Sequence, residues 1–173
     1  MTGPPRPRVT LRVLDPADAA DVAALVAAAV HGALPRDVMP PDDAPEPDEW
    51  TVARERAYAR FLRSRPPEET SYLVVEGVSV LGVARLRHEA AGAETGVWLA
   101  RSARGRGIGT AVLGLLAERA ADAGAERLLA DTTADNAAAL ASLRRHRAAL
   151  HEQGGEVAAV VELGALRGRG SSR

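Results

Sequence analysis

The stretch from Val97 to Thr110 combines residue types that can bind an anion. Apolar Val97, Trp98 and Leu99 lead into Arg104-Gly105-Arg106-Gly107-Ile108-Gly109-Thr110. Beyond it Val112, Leu113, Leu116 and Ala120 recur at three- and four-residue spacing, which predicts a helix. Strand, glycine turn and helix start together make an anion site. The first N–H groups of a helix have no intrahelical partner, and the helix dipole adds positive character there. Gly105, Gly107 and Gly109 carry no Cβ, so a phosphate can approach the main chain, and Arg104 and Arg106 can add charge-assisted hydrogen bonds. A mononucleotide P-loop is excluded, because it needs a Lys and the chain has none. A dinucleotide fingerprint starting at Gly107 would need Gly or Ala where Val112 stands.

The pattern that fits is R-x-x-G-x-G, carried by Arg104, Gly107 and Gly109. With it the chain resembles the GNAT superfamily of acyl-CoA-dependent N-acyltransferases, most closely the bacterial ribosomal-protein and small-amine branches. The resemblance extends over residues 94–143. After the helix come Gly124, a strand at Leu128–Asp131 and then Asp135-Asn136-Ala137-Ala138-Ala139. It implies that the glycine turn, Arg104 to Thr110, holds the pyrophosphate of acetyl-CoA. It also implies that Asn136 meets the pantetheine arm, and that main-chain groups of about Val97, Trp98 and Leu99 hold the thioester carbonyl.

The implied reaction is direct transfer of an acetyl group from acetyl-CoA to a primary amine, of a small molecule or a protein N-terminus. Such a transfer polarises the carbonyl and removes a proton from the amine. Two carboxylates are candidate bases: Glu94 on the fourth strand, and Asp131 at the end of the fifth. Many family members protonate the leaving thiolate with a Tyr seven residues after the Asn. Here that position is Leu143, and the Gly-Phe that follows is replaced by Arg147-Ala148. Ser142 and Tyr72 are the remaining hydroxyls considered for that step. The departure motivates an alternative, a catalytically weak acyl-CoA-binding regulatory module. His31, His88, His146 and His151 show no metal-ligand spacing, so no metal is expected, and His88 lies on a strand near the cleft. The resemblance places the acceptor over residues 31–50, where Asp37, Asp42, Asp43, Glu46, Asp48 and Glu49 form an acidic rim suited to a cationic amine. Trp50 closes that segment.

These groups need a scaffold, and the order of elements supplies one. Val9, Leu11 and Val13 alternate as a strand. Asp15 as N-cap and Pro16 at the first helical position start a helix with Val22, Leu25, Val26, Ala29 and Val30 on one face, ended by His31-Gly32. Residues 35–47 hold five of the 11 prolines, which predicts irregular chain. A second helix is expected to follow, capped by Asp48 and stopped by Arg63 to Pro67. Strands at Tyr72–Glu76, Val80–His88 and Glu94–Leu99 precede the glycine turn. A helix from Asp135 to Arg147 and a hairpin about Gly154-Gly155 end the domain. The fold class is α/β (α+β): a central mixed, mostly antiparallel sheet of about seven strands, splayed between the fourth and fifth, with about four helices. Residues 8–164 form the single domain, and 1–7 and 165–173 are disordered tails. The formal charge of -1 argues against nucleic-acid binding through a basic field, including by Arg144, Arg145 and the Arg167–Arg169 segment. No Cys is present, which excludes disulfides and thiolate catalysis. With no apolar run of membrane-spanning length or signal-peptide pattern, a cytoplasmic protein without membrane contact is expected, and a homodimer is compatible with the sequence.

Overall fold

The computed structural model describes residues 8–39, 48–90 and 92–164. The tails expected at 1–7 and 165–173, and Asp42, Asp43 and Glu46 of the acidic rim, lie outside the described residues. Seven strands form one sheet: β1 (Thr10–Val13), β2 (Glu69–Glu76), β3 (Ser79–Glu89), β4 (Gly92–Leu99), β5 (Arg127–Thr133), β6 (Ala149–Gln153) and β7 (Glu156–Glu162). Their order is β1-β2-β3-β4-β5-β7-β6. Every neighbouring pair is antiparallel except β4 and β5. β5 runs longer than the apolar run alone predicts, because β7 pairs it from Arg127↔Glu162 to Thr133↔Glu156.

Among the described residues five α-helices surround the sheet: α1 (Ala19–Gly32), α2 (Pro35–Val38), α3 (Val52–Arg63), α4 (Ile108–Asp122) and α5 (Ala137–Arg145). The additional one, α2, is a single turn inside the stretch expected to be irregular. Pro35 sits at its start, where a fixed φ is already helical, and Asp37 accepts a hydrogen bond from the Leu34 N–H at 3.2 Å. Two caps also differ from expectation. Asp18, not Asp15, caps α1, accepting from the Ala20 N–H at 2.8 Å. Asp15 spends its carboxylate on the Ala17 N–H, two residues on, and so closes a separate turn ahead of the helix. Thr51, not Asp48, caps α3, because Asp48 is drawn to Arg36 at 3.1 Å.

Strand alternation divides the core by faces. Ala84, Leu86, Ala93 and Leu128 point to α4, where they meet Ile108, Val112, Leu116 and Leu143. Leu73, Val83 and Trp98 point to the other side and pack with Leu25, Tyr58 and Leu62 of α1 and α3. On β4, therefore, Ala93 and Leu99 face α4, while Glu94, Gly96 and Trp98 face the α1–α3 side. No helix among the described residues is long and apolar enough to cross a membrane.

Candidate active site

The parallel pair β4–β5 is joined over only Ala93↔Leu128, Glu94↔Leu129 and Thr95↔Ala130. Past Thr95, β4 continues to Leu99 paired with β3 alone, and past Ala130, β5 continues to Thr133 paired with β7 alone. The two strands part, leaving a wedge at their carboxyl ends. The register shift between Val74 and Val75 lies at this end of the β2–β3 pair, where a bulge increases local twist. The Ala100 N–H bonds to the Leu81 carbonyl at 2.8 Å. Hydrogen-bonded pairs alternate along an antiparallel ladder, so the main chain of Gly96 and Trp98 also turns to β3. The N–H groups of Val97 and Leu99 turn into the wedge instead. The Leu99 carbonyl accepts from Arg104 Nε at 3.0 Å.

β4 leaves the sheet through a short 3-10 turn, Arg101–Ala103, and reaches α4 through Arg104–Gly107. Gly105 (φ 71°) and Gly107 (φ 76°) are left-handed, and a Cβ on either would meet no protein atom within 4 Å. Glycine is thus required there by conformation, and the space over the turn is open. Gly107 is the N-cap of α4 and no side chain caps the helix, so the N–H groups of Ile108, Gly109 and Thr110 open toward that space. Ile108 is buried in the core and anchors the turn from below. Gly109 lies within the helix, 3.7 Å in Cβ terms from Leu99 Cδ1 and Ser142 Oγ. Arg106 reaches back to Glu76 at 2.7 Å, so one of the two arginines of the turn already has an anionic partner.

β5 feeds α5 as β4 feeds α4, and both helices begin at the open end of the wedge. That is the crevice beyond the carboxyl ends of parallel strands where α/β sheets bind ligands. Asn136 caps α5 through its Oδ1, accepting from the Ala139 N–H at 3.1 Å, which leaves its amide N–H groups for a ligand. Leu143 is buried in the core against α4 and offers no proton. Ser142 is bonded to the Ala138 carbonyl and to Thr110. Tyr72 lies in the core on the α4 side with the Arg119 guanidinium 4.9 Å over its ring. The Ser142 hydroxyl is thus engaged, and Tyr72 stands on β2, with β3 between it and the wedge.

Both candidate bases lie on the α1–α3 face, which the pairing Glu94↔Leu129 brings together. Their surroundings differ. Glu94 is half-buried and its two carboxylate oxygens bind Arg85, at 3.1 Å, and Arg87. Arg85 also binds Glu69 at 3.0 Å, and Glu69 binds Arg65 at 2.7 Å. The Arg85 side chain crosses over Gly96, where a Cβ would stand 2.6 Å from its Nε. The negative charge of Glu94, more than that of Glu89, pushes the Arg87 guanidinium further up. Asp131 is exposed and has no hydrogen-bond or ion-pair partner among the described residues. His88 falls on the opposite, α4-facing side and is not gathered with them. In the segment expected to line the acceptor, Trp50 donates to the Ala33 carbonyl at 2.9 Å and packs on Tyr58, ring centroids 5.8 Å apart. Of the described rim acids, Asp37 and Asp48 serve the loop itself, through Leu34 and Arg36, and Glu49 is exposed.

The arginines around Glu94 and the links from α5 to Thr110 are invisible to motif reading, because each depends on residues brought together by strand register or helix packing.

The acetyltransferase (GNAT) family model matches residues 36–149. No curated protein matches the chain significantly. Among solved structures, the chain is similar to the Campylobacter jejuni N-acetyltransferase PseH in complex with acetyl coenzyme A, with TM-score 0.65, 12% identity, and coverage of 89% of this chain and 98% of that one. It is similar to a probable GNAT-family acetyltransferase from Chromobacterium violaceum (TM-score 0.69, 19% identity, 92% and 85% covered). It is also similar to RimL, a ribosomal L7/L12 alpha-N-protein acetyltransferase in complex with coenzyme A (TM-score 0.62, 20% identity, 88% and 92% covered). At these identities the likeness is one of fold.

Proposed function

The chain belongs to the GNAT family of acetyltransferases, and we propose that it transfers an acetyl group from acetyl-CoA directly to the primary amine of a small molecule or protein N-terminus. The observation that carries this reading is the wedge between β4 and β5 with a helix start on each side of its mouth. The residues fit the donor. The open left-handed turn at Gly105 and Gly107 and the uncapped start of α4 suit a pyrophosphate, with Arg104 beside it. The Asn136 amide suits the carbonyls of the pantetheine arm. The N–H groups of Val97 and Leu99 suit the thioester oxygen, which gains negative charge as the amine attacks. PseH and RimL were each solved with a coenzyme A species, which agrees with this donor.

The acceptor arrives as an ammonium and must lose a proton before attack. We assign this to Asp131, a carboxylate on the acceptor face that is exposed and has no side-chain partner among the described residues. Glu94 was the other candidate of the sequence. With both oxygens engaged by Arg85 and Arg87, it serves better as a fixed part of the acceptor wall. The nitrogen forms its bond to the carbonyl carbon and gives up its second proton to solvent, the carbon–sulfur bond breaks, and the thiolate takes its proton from solvent. Leu143, at the position of the usual Tyr, lies in the core and cannot supply it.

Purified chain mixed with acetyl-CoA and a panel of amines and N-terminal peptides tests the reading by thiol release. Release with at least one amine is expected. Tight coenzyme A binding with no release on any of them would replace the enzyme by a binding module.

A further inference from the structure

We propose that His146 is a positioning residue for coenzyme A, acting through the first turn of α4. The inference rests on the reading that this turn holds the pyrophosphate. His146 Nε2 lies 2.8 Å from the Thr110 carbonyl oxygen. A carbonyl only accepts, so Nε2 carries the hydrogen and donates. Thr110 stands in the first turn of α4, where the N–H groups of Ile108, Gly109 and Thr110 open toward the ligand space. A second tie runs beside the first. Thr110 Oγ1 meets Ser142 Oγ at 3.0 Å, and Ser142 Oγ donates to the Ala138 carbonyl at 3.1 Å.

Both ties come from one helix. α5 carries Asn136 at its start, Ser142 in its last turn and His146 as its C-cap. One rigid element therefore fixes both the anion-binding turn and the amide that meets the middle of the ligand. A long, flexible molecule bound at two points is sensitive to the distance between them, because a small misplacement forfeits one set of contacts. The imidazole sits close to α4 because position 114 is Gly: a Cβ there would lie 3.2 Å from His146 Cε1, tighter than ordinary contact. The bare position and the histidine thus form one fitted joint between the two helices.

The test compares His146→Leu, His146→Gln and Gly114→Ala by calorimetric Kd for coenzyme A, by KM for each substrate, and by thermal unfolding. Losing one neutral hydrogen bond that orders the turn corresponds to about a threefold to tenfold weaker Kd. We expect that loss in His146→Leu, with kcat and the acceptor KM nearly unchanged. Gln places an amide N–H near the position of Nε2, so His146→Gln should recover most of the affinity. Gly114→Ala should displace the ring and weaken coenzyme A binding while unfolding at the same or a higher temperature, since Ala favours the helix interior. That combination separates positioning from a merely structural role, and it carries the test if His146→Leu does not fold. Unchanged Kd in Gly114→Ala, or a His146→Leu variant that loses kcat at constant Kd, would overturn the inference. Gly107→Val tests the parent reading separately: wild-type coenzyme A affinity there would remove the site itself.

Discussion

Gly107 lets the two reasons for a glycine in this turn be told apart by experiment. Its φ of 76° is costly for an L-residue, and a Cβ there meets no protein atom. Gly107→Ala should therefore lose about 1–2 kcal/mol from the left-handed backbone alone, with nothing added for a clash. For a chain of this size that corresponds to a fall of about 2–8 °C in Tm. Asn tolerates the left-handed region, so Gly107→Asn should return most of the stability. The ligand responds to a different feature. Any side chain at this N-cap stands in the open space where a phosphate would meet the N–H groups of Ile108 and Gly109. A hydrogen bond to a charged group is worth about 1.5–3 kcal/mol, so displacing one weakens binding about tenfold to a hundredfold. The expected result is a split. Both variants bind coenzyme A poorly by calorimetry, while only Gly107→Ala unfolds early. Wild-type affinity in Gly107→Asn would show that the glycine serves the backbone and no phosphate comes near, which would refute the anion site.

The remaining predictions concern the base, the core and the end of α5. Asp131→Asn should lower kcat about a hundredfold, as expected for a lost general base, with coenzyme A affinity kept; in the wild type kcat/KM should rise with pH as the acceptor ammonium deprotonates. Glu94→Gln should cost less activity but unfold earlier, because Arg85 and Arg87 lose their shared counter-charge; the reverse ranking in steady-state kinetics would move the base to Glu94. Leu143→Ala should destabilise by about 2–4 kcal/mol in denaturant unfolding, as for other buried leucines, with turnover per folded molecule barely changed. Arg147 is left-handed at φ 58°, so Arg147→Gly should raise Tm by a few degrees and Arg147→Ala should not.

The sequence made legible what depends on neighbours along the chain. The glycine turn, the helix after it, Asn136 and the Gly154-Gly155 hairpin all combine residue type with short spacing, and each stands where it was expected. Element order was readable too, since alternation and three- to four-residue periodicity survive in a chain built mainly from Ala, Val and Leu. The misplaced caps show where local signals compete. Asp15 and Asp18 are both good capping residues, and the choice fell to the one whose carboxylate was not already closing a turn. The surroundings of Glu94 were beyond reach for another reason. Its partners stand opposite and beside it on β3, and register between strands is a long-range property. Departures from the family pattern were visible as residue types, but their meaning was not. Only the structure distinguishes Leu143, which fills core, from Arg147, which strains the backbone at a turn.

β4 explains how this site separates tasks that compete in a smaller space. The strand has three directions available: two faces for side chains, and, on the side away from β3, an edge for the main chain. Ala93 and Leu99 give one face to the core beneath α4, and Glu94, Gly96 and Trp98 give the other to the α1–α3 side, the proposed acceptor wall. The edge remains, and past Thr95 it meets no strand. The groups proposed to hold the thioester oxygen, the N–H of Val97 and of Leu99, come from that edge and are present whatever side chain stands at either position. A change at Glu94 therefore acts on that face and leaves the proposed carbonyl donors in place, whereas a Cβ at Gly96 would meet Arg85 and Trp98 packs on α1 and α3. Changes at 93 and 99 act through packing on α4, and so through the turn at Gly107. On the proposed reading, acceptor and donor contacts thus lie on different directions of the same eight-residue strand. A Val97→Ala variant makes the separation measurable: it keeps the N–H, so kcat with a good acceptor should stay within about twofold, consistent with a half-exposed side chain outside the core. A hundredfold loss there would mean that the side chain, and not the main chain, does the work.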